Sequence, residues 1–283
     1  STTNKVMRYI GDITRGREIT TFMKLLKQLK DEDVREEVYD RFGVIVGRVA
    51  EVAGYYKNDV IDAGYEASRQ ATLVKIAPSV TDRLIKVDVD PFQNMDVYRA
   101  ISEEIGYKAP EQLEDKKAVD VSRNYDGRVA SMPSAYSGYL RQSVETGLAD
   151  GWSNKALESR SRNIVTELPI RGVNTLMVTM GLEIYRIGCG LLERLNGGFL
   201  GEKIRVATLD GATCAACIAL HGTHVPIGEG ISDHYNGRCD VRYVFGKDRP
   251  QSGEDWFASL DEAQQLDMLG LGRYEYYKKG VKL

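Results

Sequence analysis

The sequence predicts an α+β protein that is predominantly α-helical, with helical N-terminal and middle regions and a small zinc-clipped, β-rich unit near the C-terminus. Three observations predict it. Apolar residues recur at helical spacing through most of the first two-thirds of the 283 residues. β-like alternation is confined to short segments, chiefly 203–209 and 238–245. The stretch 205–244 holds three of the four cysteines (Cys214, Cys217, Cys239) and all three histidines (His221, His224, His234).

Composition sets the bounds. The chain is 42% hydrophobic and 28% charged, an ordinary globular balance with material for a sizeable core. The net charge of -3 gives no global basic field of the kind that marks nucleic-acid binders. Four cysteines do not make a disulfide framework, and a thiol-rich cluster suits a reducing compartment. Residues 1–19 contain no apolar stretch of signal-peptide length. The most apolar window, 175–192, is interrupted by Glu183 and Arg186, so it reads as a core helix and no membrane span is expected.

The helices follow in order. Ile19, Phe22, Met23, Leu26 and Leu29 form the first stripe, and Val34, Val38, Phe42, Ile45, Val49 and Val52 the second, with Asp31 or Asp33 as its cap. The pattern continues through Tyr55, Tyr56, Val60, Ile61 and Tyr65, and Pro78 is expected to stop it. Such stripes serve a core or a partner surface, and core burial is the commoner use. Residues 87–92 alternate like a short strand, 95–105 read as a helix, and 108–128 as a solvated connection. Met132-Pro133-Ser134 reads as a boundary. The expected regions are therefore 1–135, a helical partner-binding arm; 136–204, helical; 205–246, the metal-binding β unit; and 247–283, a C-terminal helix and tail.

Beyond the boundary, Tyr139, Leu140, Val144 and Leu148 mark a helix that Gly151 should stop, and Ser153 should cap the next. That helix is expected to end near Leu168, before Pro169, and a further apolar one to cover 173–195. In the tail a helix is expected over 259–269, anchored by Trp256 and Phe257 and broken by Gly270 and Gly272. Tyr274, Tyr276, Tyr277, Lys278, Lys279 and Lys282 follow, an aromatic and basic set that is a candidate contact for nucleic acid.

The cysteine spacing is C-x2-C, sixteen residues, then H-x4-C. A C-x2-C turn aims two thiolates at one point, and a later His and Cys complete a tetrahedron around zinc. The ligand set read from this spacing is Cys214, Cys217, His234 and Cys239. A redox pair is the rival reading of C-x2-C alone, and a reduced, metal-free cluster is the other. Cys189 sits in an apolar helical setting and reads as core.

The C-terminal half resembles the phage head morphogenesis, or minor head (Mu protein F-like), family. The resemblance rests on ordered motifs. Gly147-Leu148-Ala149-Asp150-Gly151-Trp152-Ser153 is similar to the family's G-L-x-x-G-x-S element. Thr208, Asp210, Thr213, Cys214, Cys217, Leu220 and Gly222 match its T-x-D-x-x-T-C-x-x-C-x-x-L-x-G element. His234-Tyr235-Asn236-Gly237-Arg238-Cys239 stands where the family has H-x-N-C-R-C, and Trp256, Gln265, Leu269, Gly270 and Lys279-Gly280 match its tail. The match spans about residues 138–283. His221 replaces a common acidic residue, Gly237 replaces the first Cys of C-R-C, and the arginine-threonine-glutamate step of the preceding helix is not clear.

The resemblance implies a virion component of a tailed phage, associated with the portal or the major capsid protein, assembled in the host cytoplasm, and in some members delivered with the genome. Packaged DNA is a candidate partner of the tail. A closed Cys3His zinc site has no open position for water and is structural, so no enzyme is expected. No triad, phosphate loop or paired-carboxylate site is visible. The alternatives are a His-Asn-His-type metal-dependent nuclease, with His224 or His221 as base and Asp233 or Asp210 on the metal, and a cytosolic zinc-bearing adaptor.

Overall fold

The computed structural model describes residues 8, 17–84, 106, 108, 112–196, 202–234, 237–244 and 249–283, with only the backbone of 17–18 and 73–84. The chain is α+β and mostly helical, with one two-stranded antiparallel sheet near the C-terminus. It divides into two compact units, each discontinuous in sequence: Ser1–Gly64 with Lys116–Ile184, and Tyr65–Asp115 with Tyr185–Leu283. The expected strand at 87–92 and helix at 95–105 lie outside the described residues.

The first unit is helical. Helix α1 (Arg17–Leu25) leads through a 3-10 turn (Leu26–Gln28) to α2 (Glu32–Tyr55), and α3 (Lys57–Leu84) begins here. Asp31 caps α2: its carboxylate accepts from the Asp33 and Val34 amides at 3.1 and 3.4 Å. Of the predicted stripe Val38, Phe42, Ile45 and Val49 are buried and Val34 and Val52 half-buried, and Val46, outside the predicted stripe, is fully buried as well. Phe22 stacks on Phe42 with ring centroids 6.4 Å apart.

Helix α4 (Lys116–Ala149) packs along α2 and differs from expectation. Residues 116–128 are not a solvated connection but its first turns, with Ala118, Tyr125 and Val129 buried. The Tyr125 hydroxyl donates to the Ala53 carbonyl at 3.0 Å, and the Ser137 hydroxyl to that of Tyr39 at 2.7 Å. The boundary expected at 132–134 falls inside this helix, as Pro133 does. Pro169 likewise lies inside α5 (Asn154–Asn196), and α3 runs past Pro78 to Leu84. A proline costs a helix one hydrogen bond and some strain, about 3 kcal/mol. A long helix that buries a face along its length offsets that cost, and local sequence does not reveal the burial.

Between α4 and α5 the expected stop and cap both form. Gly151 takes φ +74°. The Trp152 amide donates to the Gly147 carbonyl at 2.8 Å and the Gly151 amide to that of Leu148 at 3.1 Å, the paired bonds of a Schellman ending. The Ser153 hydroxyl then accepts from the Ala156 amide at 3.2 Å. The first motif of the family resemblance is, physically, a glycine helix stop followed by a capped helix start.

The second unit carries the sheet. Strand β1 (Glu202–Val206) pairs antiparallel with β2 (Asp240–Val244), with Ile204 opposite Arg242. Residues 222–225 line the other edge of β1: the Arg205 amide donates to the Thr223 carbonyl at 2.9 Å and the Val225 amide to that of Lys203 at 2.9 Å. Helix α6 (Ala215–Ala219) lies between these segments in sequence and packs on α7 (Gly253–Ala258). Ile218, Phe257, Leu269 and Tyr274 form one core with partly buried Trp256, so Phe257 anchors the tail as expected. Helix α8 (Glu262–Lys278) starts at an Asp261/Gln264 capping box. It kinks at Gly270 (φ 70°) but continues through Gly272 to Lys278.

By length and composition alone α5 is long and apolar enough to cross a bilayer. Here 39% of its most apolar window is buried, and further along it Glu193 pairs with Lys203 in a fully enclosed ion pair. Part of the helix therefore packs within its own chain.

Candidate metal centre

The turn before α6 is built by Asp210. Its carboxylate accepts from the Ala212 amide at 3.0 Å and from the Thr213 hydroxyl at 3.1 Å, while its own amide donates to that hydroxyl at 3.0 Å. This closed turn delivers Cys214 as the residue preceding α6, with extended backbone (ψ 155°). Cys217 follows one helical turn later, on the same side. Arg238 grips Asp210 with two contacts of 2.6 Å, tying the segment before β2 to this turn and holding the Asp210 carboxyl well below the usual carboxylate range.

The four predicted ligands line one cavity of ≈ 40 Å³, together with Ala207, Thr208, Ala212, Thr213 and Arg238. His234 Nε2 lies 3.4 Å from Cys214 Sγ and 3.5 Å from Cys217 Sγ. Two donors of a tetrahedral zinc, with bonds of about 2.3 Å to sulfur and 2.0–2.1 Å to nitrogen, are separated by about 3.5 Å. The observed spacings match the edges of such a tetrahedron. Cys214, Cys217 and His234 form one group with metal-binding spacing; Cys217, Asp233 and Cys239 form a second that shares Cys217. These Cys and His groups near the C-terminus are able to hold a metal ion. Cys189 belongs to neither: it is buried on α5 beside Tyr185, as its apolar setting predicts.

The electrostatics favour a cation. Burial raises the Cys217 thiol, and the neighbouring thiols of Cys239 and Cys214 add to it, pushing it up to about 12. Burial also works to raise Cys214, but the Cys217 amide and thiol and the His234 imidazole outweigh it and hold this thiol below its ordinary value. Sulfurs this close repel one another as thiolates, and a divalent ion is what allows them to ionise together.

Asp233 does not face the cavity as a free ligand. Its side chain is fully enclosed. It accepts from Arg186 Nη2 at 2.9 Å, Arg205 Nη2 at 3.4 Å, the His234 amide at 3.0 Å and the Cys239 amide at 3.2 Å. Arg186 comes from α5 and also donates to the Cys239 carbonyl at 2.8 Å. Arg205 comes from β1, reaching Cys217 Sγ at 3.7 Å and the Ser232 carbonyl at 2.6 Å. Sequence reasoning met Asp233 only as a nuclease ligand and Arg186 only as a charge interrupting an apolar window, and no local spacing signals either role. Were Cys214, Cys217 and Cys239 to hold a divalent ion as thiolates, the group would carry one net negative charge. With Asp233 that makes two, and the two buried guanidiniums match them.

Comparison with family models, curated proteins and solved structures finds no match to this chain.

The remaining histidines lie elsewhere. His221 is buried with Nδ1 accepting the Ala207 amide at 2.9 Å, and burial lowers its pKa. His224 is exposed and meets Ile204 through a backbone bridge.

Proposed function

We propose that this chain is a minor head protein of a tailed bacteriophage, acting in head assembly at the portal or inner shell, with a structural Zn²⁺ held by Cys214, Cys217, His234 and Cys239. The observation that carries the reading is that the four donors, drawn from the two motifs at the centre of the family resemblance, line one cavity, three of them (Cys214, Cys217 and His234) at tetrahedral spacing and Cys239 grouped with Cys217. Two further matched residues, Asp210 and Arg238, pair with each other and join those motifs. With three thiolates and one imidazole around it, the ion has no open position, so it clips β2 to the α6 turn and activates no water.

The nuclease alternative asks Asp233 or Asp210 to hold a metal and His224 or His221 to accept a proton from water. Asp233 already accepts from Arg186, Arg205 and the His234 and Cys239 amides, Asp210 is paired with Arg238, and His221 is buried with Nδ1 occupied, so these placements weigh against it, while His224 is exposed.

The test is co-expression of the chain with the portal and major capsid proteins of the phage that encodes it, followed by purification of heads and portal complexes. The expected result is co-purification with one or both. A chain recovered free of both, and absent from mature particles, would overturn the head-protein reading; the adaptor alternative predicts that outcome.

A further inference from the structure

We infer that Asp233, held between Arg186 and Arg205, is the positioning residue of the metal centre: it sets the loop bearing His234 and Cys239 in its binding geometry before the ion arrives. The inference rests on the reading of Cys214, Cys217, His234 and Cys239 as metal ligands.

The geometry has three parts. Asp233 accepts the backbone amides of two of the four ligands, His234 at 3.0 Å and Cys239 at 3.2 Å. One carboxylate thus fixes both ends of the ligand loop. That carboxylate is itself fixed from outside the loop, by a guanidinium from α5 and another from β1. Finally, the loop makes room for it. At Gly237 a β-carbon would fall on the Asp233 carboxylate, far inside van der Waals contact with its carbon and both oxygens. Glycine stands there because the carboxylate occupies the place of a side chain. The Gly237 amide meanwhile donates to the His234 carbonyl at 2.8 Å, closing the turn around it.

Although its oxygen lies at metal-binding spacing from Cys217 and Cys239, this carboxylate is engaged by the donors that hold the loop, and orients the ligands rather than joining them. Its work is to lower the cost of ordering the loop, which otherwise falls on metal binding. Groups that orient metal ligands in this way typically change affinity by about 10- to 100-fold when removed. Asp233→Asn keeps the size and one acceptor oxygen but removes the charge between two buried guanidiniums.

The experiment uses the full chain, stripped with a chelator and titrated with Co²⁺, with Zn²⁺ then displacing it. The wild type is expected to give the visible spectrum of a tetrahedral thiolate-rich site. Failure of the wild type to bind either ion would sink the metal-site reading itself. Given wild-type binding, Asp233→Asn is expected to keep the same spectrum with affinity lowered about 10- to 100-fold. Unchanged affinity would overturn the positioning role, and a changed spectrum would make Asp233 a ligand instead. Amide exchange on the metal-free wild type gives a reading that does not depend on how the variant folds. The His234 and Cys239 amides are expected to be protected before metal is added, and free exchange at both would overturn the inference.

Discussion

Replacing Gly237 by alanine probes the centre without touching a ligand or a charge. The added methyl would land on the Asp233 carboxylate. That carboxylate cannot simply turn aside, because Arg186 at 2.9 Å, Arg205 at 3.4 Å and the two ligand amides hold it in an enclosed space. Either those bonds lengthen, or the loop moves and carries His234 and Cys239 off the tetrahedron. Overpacking of this kind costs about 1–3 kcal/mol. Since only the metal-competent loop is disturbed, the cost should appear as about 5- to 150-fold weaker binding. The assay is competition for Zn²⁺ against a chromophoric chelator. Gly211→Ala is the control, lying in the neighbouring turn with nothing within 4 Å of its added carbon, and should stay within about 0.5 kcal/mol. Wild-type affinity in Gly237→Ala would refute the account of how Asp233 and the loop share space.

Elemental analysis should find one zinc per chain. Cys217→Ser and Cys239→Ser should lose it and lower the melting temperature of the C-terminal part, whereas Cys189→Ser, buried beside Tyr185, should keep the metal; release of metal by Cys189→Ser would mean a different ligand set. In the helical unit, burial pushes the Tyr125 hydroxyl up to about 12, from an ordinary value near 10. The folded form therefore holds this proton where the unfolded chain releases it, so the stability contribution is intact below pH 10 and is lost as pH rises towards 12. Tyr125→Phe should flatten that alkaline loss in denaturant titrations, at a cost of about 1 kcal/mol near neutrality for the bond to Ala53. An unchanged alkaline slope would remove Tyr125 from the account.

The legible parts of the chain are those written within a few residues. The α2 stripe and its Asp31 cap, the Gly151 stop with the Ser153 cap, and the strands beginning at Glu202 and Asp240 all follow from local spacing and turn chemistry. So does the pairing of Cys214 with Cys217 on one turn, which His234 joins from farther along the chain, while Cys239 groups with Cys217 and Asp233. The illegible parts depend on partners distant in sequence. Pro133 and Pro169 read as ends because local rules penalise proline in a helix, yet burial along α4 and α5 overrides the penalty.

The sequence by itself determined the helical class, the helix caps and the Cys and His side chains near the C-terminus that could hold a metal. Only the tertiary structure decided which charges stand behind them. Arg186 on α5 and Arg205 on β1 meet Asp233 across 47 and 28 residues of chain, and no periodicity encodes that meeting. The physical reason is range: a cap or a C-x2-C turn is settled by neighbours along the backbone. The worth of a buried carboxylate is set by whichever cations the fold brings within about 3 Å of it.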